Sequence, residues 1–210
     1  MKKIFLPWLL CAALVAASPP DRFTGPQSGE SAPEFALYDL EGQEVRLEQF
    51  RKKDPVVLVT GSYSCPIFRQ RLPALQNLYE KYKGRASFYI LYTVEAHPSG
   101  SPSPYSGKEW VTEENQREQI LVPQPSSYDE RANLVSQCRQ ALHITVPTLI
   151  DDMDNAVWAE YGKAPNAAYL IDSSGKVQLR QGWFEPASFE QTFLEIMQEE
   201  PPRWDDRKNR

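Results

Sequence analysis

Residues 56–73 read VVLVTGSYSCPIFRQRLP, and this stretch decides the fold. Val56–Thr60 is a continuous apolar run, which is typical of a strand buried on both faces of a sheet. Gly61–Ser64 has the composition of a loop. Pro66 suits the first position of a helix, because the amide hydrogen that proline lacks would have no intrahelical partner there. The stretch therefore predicts a central strand that delivers Cys65 to the N-terminus of a helix.

Strands and helices alternate on both sides of this stretch. The predicted elements are a strand–turn–strand unit with a short helix from Gly29, the Cys65 helix to about Lys83, a strand over Ala86–Val94, a helix from Tyr128 to about Leu142, a strand over Thr148–Ile150, a short helix over Asn155–Tyr161, a hairpin of Ala167–Ile171 and Lys176–Gln181, and a last helix over Ser188–Gln198. This alternation favours an α/β sheet, and the terminal hairpin adds antiparallel strands, so we expect a mixed sheet. Segment 98–127 is rich in Pro, Ser and Gly, and a loop of that length is usually functional or disordered.

The N-terminus has the pattern of a secretory signal peptide. Two lysines precede an apolar run from Ile4 to Ala17, which is too short to span a bilayer. Cleavage after Ala17 would leave an exported protein, periplasmic or secreted, with no membrane anchor. The predicted organisation is a signal peptide over 1–17, a flexible leader over 18–32, a folded domain over 33–198 and a mobile tail over 199–210.

Charge and cysteine content narrow the function classes. The chain has 23 Lys and Arg against 28 Asp and Glu, a net charge of −5 that becomes −7 when the two lysines of the signal peptide are lost. No basic stripe is visible, so nucleic acid is not an expected partner. Cys11 would leave with the signal peptide, and only Cys65 and Cys138 would reach an oxidising compartment. Two cysteines are too few for a disulfide scaffold, which favours a redox or nucleophilic role.

Cys65 is the predicted reactive centre. The free amide groups and the dipole at a helix N-terminus favour an anion, so we expect the pKa of this thiol to be lowered. Arg69 and Arg71 follow within two turns and would add positive potential. The alternative is an inert cysteine packed in the core. Pro73 lies eight residues after Cys65, at the spacing found in the thioredoxin helix, and Phe68 stands where a second CxxC cysteine would be.

Two longer motifs resemble the iodothyronine deiodinase family. Residues 61–68 (GSYSCPIF) with Arg71-Leu-Pro73 are similar to the family's active-site segment, where vertebrate members carry selenocysteine at the position of Cys65. Residues 92–99 (YTVEAHPS) resemble its strand-end motif. Residues 151–155 (DDMDN), followed by Tyr161-Gly162, resemble a later part of the same domain. The sequence departs from vertebrate members at 100–103 (GSPS), where they continue with Asp-Gly-Trp, and at Tyr63, where some have a cysteine.

The resemblance implies a fold and a set of site residues. The fold would be thioredoxin-like, with a mixed central sheet flanked by helices, peroxiredoxin-like N-terminal strands and an inserted strand and helix. Glu95 and His97 end the strand beside the Cys65 strand, and residues two apart share a strand face. A carboxylate there would set the tautomer of His97 and raise its pKa, which suits proton transfer. The expected supporting residues are Ser62, Ser64, Pro66, Phe68, Arg71 and Pro165.

Four further positions carry alternatives. Cys138 is either a core residue or the thiol that resolves oxidised Cys65. Pro165 is expected to be the cis proline that faces the nucleophile in thioredoxin folds, with Pro147 as its rival. His143 suits the C-terminal end of a helix. The three acids of Asp151–Asp154 favour capping of the following helix over a calcium loop, and we expect no metal.

Three functions fit these features. The first is a reductive, deiodinase-like thiol enzyme in which Cys65 attacks an aryl halogen, a disulfide or another soft electrophile. It would need no cofactor beyond an external thiol reductant. The second is a peroxidase, although Leu58 and Ser62 stand where peroxiredoxins usually carry proline and threonine. The third is a non-enzymatic module that binds a partner through segment 98–127. A homodimer is a further expectation.

Overall fold

A computed structural model describes residues 24–51 and 53–199. The strands are β1 (Ala36–Asp39), β2 (Glu44–Arg46), β3 (Val56–Gly61), β4 (Ser87–Tyr92), β5 (Thr148–Ile150), β6 (Ala168–Ile171) and β7 (Val177–Gln181). The helices are α1 (Pro66–Tyr82), α2 (Glu113–Arg117), α3 (Tyr128–Ala141), α4 (Ala156–Glu160) and α5 (Pro186–Glu199), with a 3₁₀ turn over Leu47–Phe50. Among the described residues no helix is both long enough and apolar enough to cross a membrane.

The seven strands form one mixed sheet in the order β2-β1-β5-β4-β3-β6-β7. The inner strands β3, β4 and β5 are parallel, and the remaining pairings are antiparallel. This arrangement confirms the predicted α/β class with a mixed central sheet and flanking helices. Because β3, β4 and β5 end at the same edge, the residues that follow them come together there.

Strand β3 runs through the centre of the molecule. All six of its residues are buried, as the apolar run predicts. On one side of the sheet, Val57 and Val59 pack with residues of α1 and α5, among them Leu72 and Phe193. On the other side, Leu58 packs with a second core cluster built from the N-terminal strands and the α4 region. The strand is thus held on both faces, which fixes the position of the residues after it.

The sequence predicts a flexible leader over 18–32, and the structure corrects this prediction for residues 24–32. The amide of Gly29 donates to the carbonyl of Val177, the amide of Val177 donates to that of Glu30, and Ser31 bridges Lys176. These bonds pair the leader with Val177 at the start of β7, which is an edge strand of the sheet. The domain therefore begins before residue 33. The predicted signal peptide, leader residues 18–23 and tail residues 200–210 lie outside the described residues.

Segment 98–127 is folded against the body of the domain, and we call it the cover. Its helix α2 begins after Thr112, whose hydroxyl accepts from the amide of Asn115. The Ser103 hydroxyl donates to the carbonyl of Ala96, and Tyr105 packs on the core cluster that contains Cys65. The cover therefore lies over the edge of the sheet at which β3 and β4 end.

Candidate active site

Cys65 is the N-cap residue of α1. Its sulfur accepts a hydrogen bond from the amide of Phe68 at 3.5 Å, and Pro66 is the first helical residue, as predicted. Only 1% of Cys65 is exposed. Burial raises the pKa of the Cys65 thiol to about 11, although the amides of Phe68 and Ile67 and the charge of Arg69 act to lower it. The predicted lowering of this pKa is therefore wrong for the closed structure, because desolvation outweighs the helix N-terminus.

Phe68 occupies the position that the second cysteine of a CxxC motif would take. Its ring packs beneath the loop that carries Cys65. Its ring lies against Gly61, and a β-carbon at Gly61 would overlap that ring. Phe68 is buried together with Cys65 in the same core cluster. Glycine at position 61 thus allows the aromatic ring to pack directly under the loop that carries Cys65.

The two serines beside Cys65 tie its loop to the chain that follows β4. The Ser62 hydroxyl accepts from the amide of Ala96 at 3.2 Å, and the Ser64 hydroxyl accepts from the amide of His97 at 2.9 Å. Both serines are buried. The predicted supporting residues Ser62 and Ser64 therefore act by fixing the relative position of the two loops.

Glu95 is fully buried beneath Cys65 and accepts two hydrogen bonds. The amide of Ser64 donates to one carboxylate oxygen at 2.7 Å, and the Tyr92 hydroxyl donates to the other. The Tyr92 oxygen also accepts from the amide of Tyr63 at 3.1 Å. Burial raises the pKa of Glu95, and the hydrogen bonds from Ser64 and Tyr92 only partly oppose it. A carboxyl group of raised pKa thus lies next to the loop that carries Cys65.

His97 does not pair with Glu95, which corrects the predicted arrangement. Strand β4 ends at Tyr92, so the two-residue period of a strand does not extend to positions 95 and 97. The His97 ring packs edge-on against Trp110 of the cover, with ring centres 4.3 Å apart, and its Nδ1 atom is buried without a hydrogen-bond partner. Burial lowers the pKa of His97, against the predicted rise.

Of the two arginines predicted to add positive potential, Arg69 stands at the site, whereas Arg71, also a predicted supporting residue, pairs elsewhere. The Arg69 guanidinium donates to the carbonyl of Tyr63 at 2.6 Å, to Asn115 Oδ1 at 2.7 Å and to Glu118 Oε2 at 2.9 Å. Arg71 points away from Cys65 and pairs with Glu185 of the loop before α5. The helical period explains the difference, since residue 69 is one turn beyond Cys65 on the same side of α1.

Cys138 lies on α3 and packs in the hydrophobic core. It is fully buried, and both Cys65 and Cys138 are free thiols. Burial raises the pKa of Cys138, and the nearby charge of Glu95 raises it further. The structure therefore places Cys138 close to Glu95 as a protonated core residue, and its role as a resolving thiol stays a prediction.

The peptide bonds before Pro165 and before Pro147 are both trans, since no cis bond occurs among the described residues. Pro165 lies just before β6. The expected cis proline is thus wrong for this structure. In the trans arrangement the carbonyl of Ala164 accepts from the Thr60 hydroxyl at 3.0 Å, and that hydroxyl accepts from the amide of Ala167 at 2.7 Å. These bonds hold the segment that contains Pro165 against the end of β3.

The acids after β5 cap helix α4, as predicted. Asp151 Oδ2 accepts from the amide of Trp158 at 2.9 Å, and Asp154 Oδ1 accepts from the amide of Ala156 at 3.1 Å. Burial raises the pKa of Asp151 to about 6. Within the described ranges, no group of three or more His, Cys, Asp and Glu side chains is placed to hold a metal ion.

Comparison with known proteins identifies the family. The model of the iodothyronine deiodinase family matches residues 14–199. The chain belongs to the iodothyronine deiodinase family. It is 30% identical to the thyroxine 5-deiodinase of Ovis aries over 155 residues, which are 73% of this chain and 49% of that protein. It is 29% identical to the thyroxine 5-deiodinase of Gallus gallus over 164 residues, 77% of this chain and 58% of that protein. The chain thus spans about half the length of the curated relatives it matches.

Solved structures of low sequence identity share the fold. A thiol:disulfide interchange protein from Bacteroides sp. superposes with a TM-score of 0.59 at 15% identity, covering 88% of this chain and 96% of that one. The thioredoxin domain of a thiol-disulfide oxidoreductase from Bacteroides vulgatus gives a TM-score of 0.57 at 15% identity, covering 81% of this chain and 98% of the other. These likenesses confirm the thioredoxin-like fold of this deiodinase family member.

Sequence reasoning missed several residues of the site. Tyr92 stood inside a quoted motif without an assigned role, and its hydrogen bond to Glu95 depends on the turn after β4. Asn115 is fully buried, and its side chain donates to the carbonyl of Ser64 at 2.9 Å. The one available signal was Thr112 followed by two glutamates, which is a helix start inside the cover. Arg131 is also buried and donates to the carbonyls of Asp151 and Asp152.

Proposed function

We propose that this deiodinase family member is a thiol-dependent oxidoreductase in which Cys65 attacks the halogen of an aryl halide or another soft electrophile. The observation that supports it most is the placement of a free thiol at the N-cap of α1, with a helix amide bonded to its sulfur. Such a position stabilises a thiolate once solvent reaches it. Family membership supports the reductive direction of the reaction.

The proposed chemistry is balanced by two equivalents of an external thiol. The Cys65 thiolate takes iodine from the aryl carbon as a sulfenyl iodide, and the carbon takes up a proton. A reductant thiol then displaces iodide and forms a mixed disulfide with Cys65. A second reductant thiol releases Cys65 as the thiol and leaves as the oxidised disulfide. The net products are arene, iodide, a proton and one disulfide, and no cofactor is required.

The buried carboxyl group of Glu95 is the proposed source of the proton. Its raised pKa favours the protonated form more than an exposed glutamate would, and it is bonded to the amide of Ser64 beside the nucleophile. His97 has a lowered pKa and is therefore neutral near pH 7. Its unpartnered Nδ1 can orient a polar group of the substrate, such as a phenol hydroxyl, rather than act as the acid.

The experiment is a dithiothreitol-driven assay of the purified protein on three probes: an iodinated phenol, a model disulfide and hydrogen peroxide. We expect turnover of the iodinated phenol and its complete loss in Cys65→Ser. Cys138→Ala serves as the matched control, because it removes the other thiol from the core. Cys65→Ser with undiminished iodide release would contradict the proposal. Turnover of peroxide alone would favour the peroxidase reading instead.

Export is part of the same proposal. The N-terminal pattern of residues 1–17 supports cleavage after Ala17, a periplasmic or secreted location and no remaining membrane anchor. The partners would be a small-molecule or disulfide substrate and a thiol reductant, with a homodimer as the expected assembly. Mass spectrometry of the chain recovered from an exporting host tests this, since a mature N-terminus at Ser18 is expected and an intact Met1 would contradict it.

A further inference from the structure

The cover packs against the cluster that contains Cys65 through Tyr105, and side-chain bonds of Ser103, Asn115 and Gln124 fasten it to the loops around the site. Cys65 is 1% exposed, and Tyr105 of the cover lies close enough for the charge of a Cys65 thiolate to raise the Tyr105 pKa further above the level set by burial. A substrate can reach the sulfur only if this segment moves. Movement of α2 away from the site has to break the bonds that hold this helix against the Cys65 loop.

Arg69 makes several of the bonds that join α2 to the Cys65 loop. Its guanidinium spans the carbonyl of Tyr63 in the Cys65 loop and the side chains of Asn115 and Glu118 on the cover. Asn115 in turn donates to the carbonyl of Ser64, so the loop on each side of position 64 is held through the same network. Only 6% of the Arg69 side chain is exposed, whereas 54% of the Glu118 side chain is.

We propose that Arg69 is a positioning residue for Cys65 and that its ion pair with Glu118 is the latch that keeps the cover closed. The proposal rests on the proposed role of Cys65 as nucleophile. Arg69 stays with α1 and the Cys65 loop, while Glu118 belongs to the segment that has to move. Breaking this pair would let water reach the sulfur and leave the Arg69 charge beside it, so opening and activation of the thiol would coincide.

The charged and titratable groups that face Cys65 come from three elements. Arg69 lies on α1, Glu95 follows β4, and Tyr105 belongs to the cover. Among the described residues, the Glu118 side chain bonds to Arg69 and not to the Cys65 loop itself. A change at Glu118 therefore removes the charge partner of Arg69 and leaves Arg69, Glu95 and Tyr105 themselves in place.

The test compares Glu118→Gln with Glu113→Gln in the full-length protein. Both changes remove one acidic charge from an exposed position of the same region, but only Glu118 pairs with Arg69. The readout is the rate of Cys65 alkylation by iodoacetamide over a series of pH values. Mass spectrometry counts the Cys65 and Cys138 peptides separately. This rate reports access to the sulfur whether or not the protein turns over a substrate, so it stands apart from the proposed function.

We expect Glu118→Gln to alkylate at Cys65 about three- to tenfold faster than the unmodified protein below pH 9, since exposed and charge-assisted pairs have effects of that order. Glu113→Gln should match the unmodified protein. The unmodified protein should also speed up as salt is raised from roughly 0.02 to 0.5 M, and Glu118→Gln should lose most of that response. Equal rates for the two variants, or an unchanged salt response, would overturn the proposal.

Discussion

The thiol of Cys65 combines a helix N-terminus, which favours its anion, with burial, which opposes it. The balance raises its pKa to about 11 in the closed structure. At pH 7 the thiolate fraction would then be about one part in ten thousand, against a few per cent for an exposed cysteine. In this structure the thiol is therefore buried and protonated, and the proposed reactivity of Cys65 requires solvent to reach it.

This residue-scale account predicts the pH dependence of Cys65 alkylation. Because the thiolate is the reacting form, the logarithm of the rate should rise with a slope of one from pH 6 to about pH 10 without levelling off. Stopped-time alkylation with iodoacetamide, followed by peptide mass spectrometry, measures it. A profile that levels off below pH 8.5 would mean that the helix N-terminus outweighs burial, contrary to the account.

Glu95→Gln separates proton transfer from packing at the same scale. The ionised form of Glu95 raises the pKa of Cys65, so its removal should not slow alkylation at pH 8, whereas the protonated form is the proposed acid. Turnover of the iodinated phenol should nevertheless fall about 10- to 100-fold, because the amide cannot deliver the proton. Tyr92→Phe is the control, since it removes a hydrogen bond and keeps the carboxyl group. If Glu95→Gln left turnover intact, Glu95 would have only a structural role.

At the scale of elements, the leader and the chain before Pro165 are packed against each other. Gly162 has a φ of +92°, and a β-carbon there would overlap the carbonyl of Thr24. Gly162→Ala should therefore destabilise the protein by about 3 kcal/mol in urea unfolding, combining backbone strain with a backbone clash. Gly42→Ala is the matched control, because Gly42 has a φ of +77° but open space around it. Its cost should be about 1 kcal/mol, and equal costs would contradict the packing of residues 24–25 on the domain.

Helix α4 gives stability a pH dependence through its cap. The pKa of Asp151 is raised from 3.8 to about 6 in the folded chain, so the folded state holds this proton more tightly than the unfolded state. The resulting stabilisation is present below pH 4 and is lost as pH rises through 6. The difference in free energy of unfolding between the unmodified protein and Asp151→Asn should fall by about 2 kcal/mol from pH 4 to pH 7. Urea titrations at four pH values check this, and a constant difference would show that folding leaves the pKa of Asp151 unchanged.

Elements set by local pattern were predictable from the sequence, and those set by long-range contacts were not. The apolar run and Pro66 gave β3 and the start of α1, because both depend on neighbouring residues alone. Helix α2 has five residues, too few to be stable alone, and is held by the buried side chain of Asn115. The predicted pairing of Glu95 with His97 is wrong because it required β4 to continue past Tyr92.

For the whole molecule, a thioredoxin-like sheet carries one thiol at its edge and a cover that closes over it. The family motifs located Cys65, Glu95 and His97, while the contacts of the cover come from a segment with little pattern. Those contacts depend on where the segment settles on the folded domain. The sequence therefore locates the candidate nucleophile Cys65. Only the structure shows which contacts of the cover limit access to its sulfur.

The most direct test of the central claim measures activity against the fraction of Cys65 that is alkylated. Aliquots taken during partial alkylation are assayed for iodide release, and peptide mass spectrometry counts modified Cys65 and Cys138 in each. The account predicts that activity falls in proportion to modified Cys65 and reaches zero when Cys65 is fully blocked, whatever the state of Cys138. Activity that persists after complete alkylation of Cys65, or that follows Cys138 instead, would contradict it.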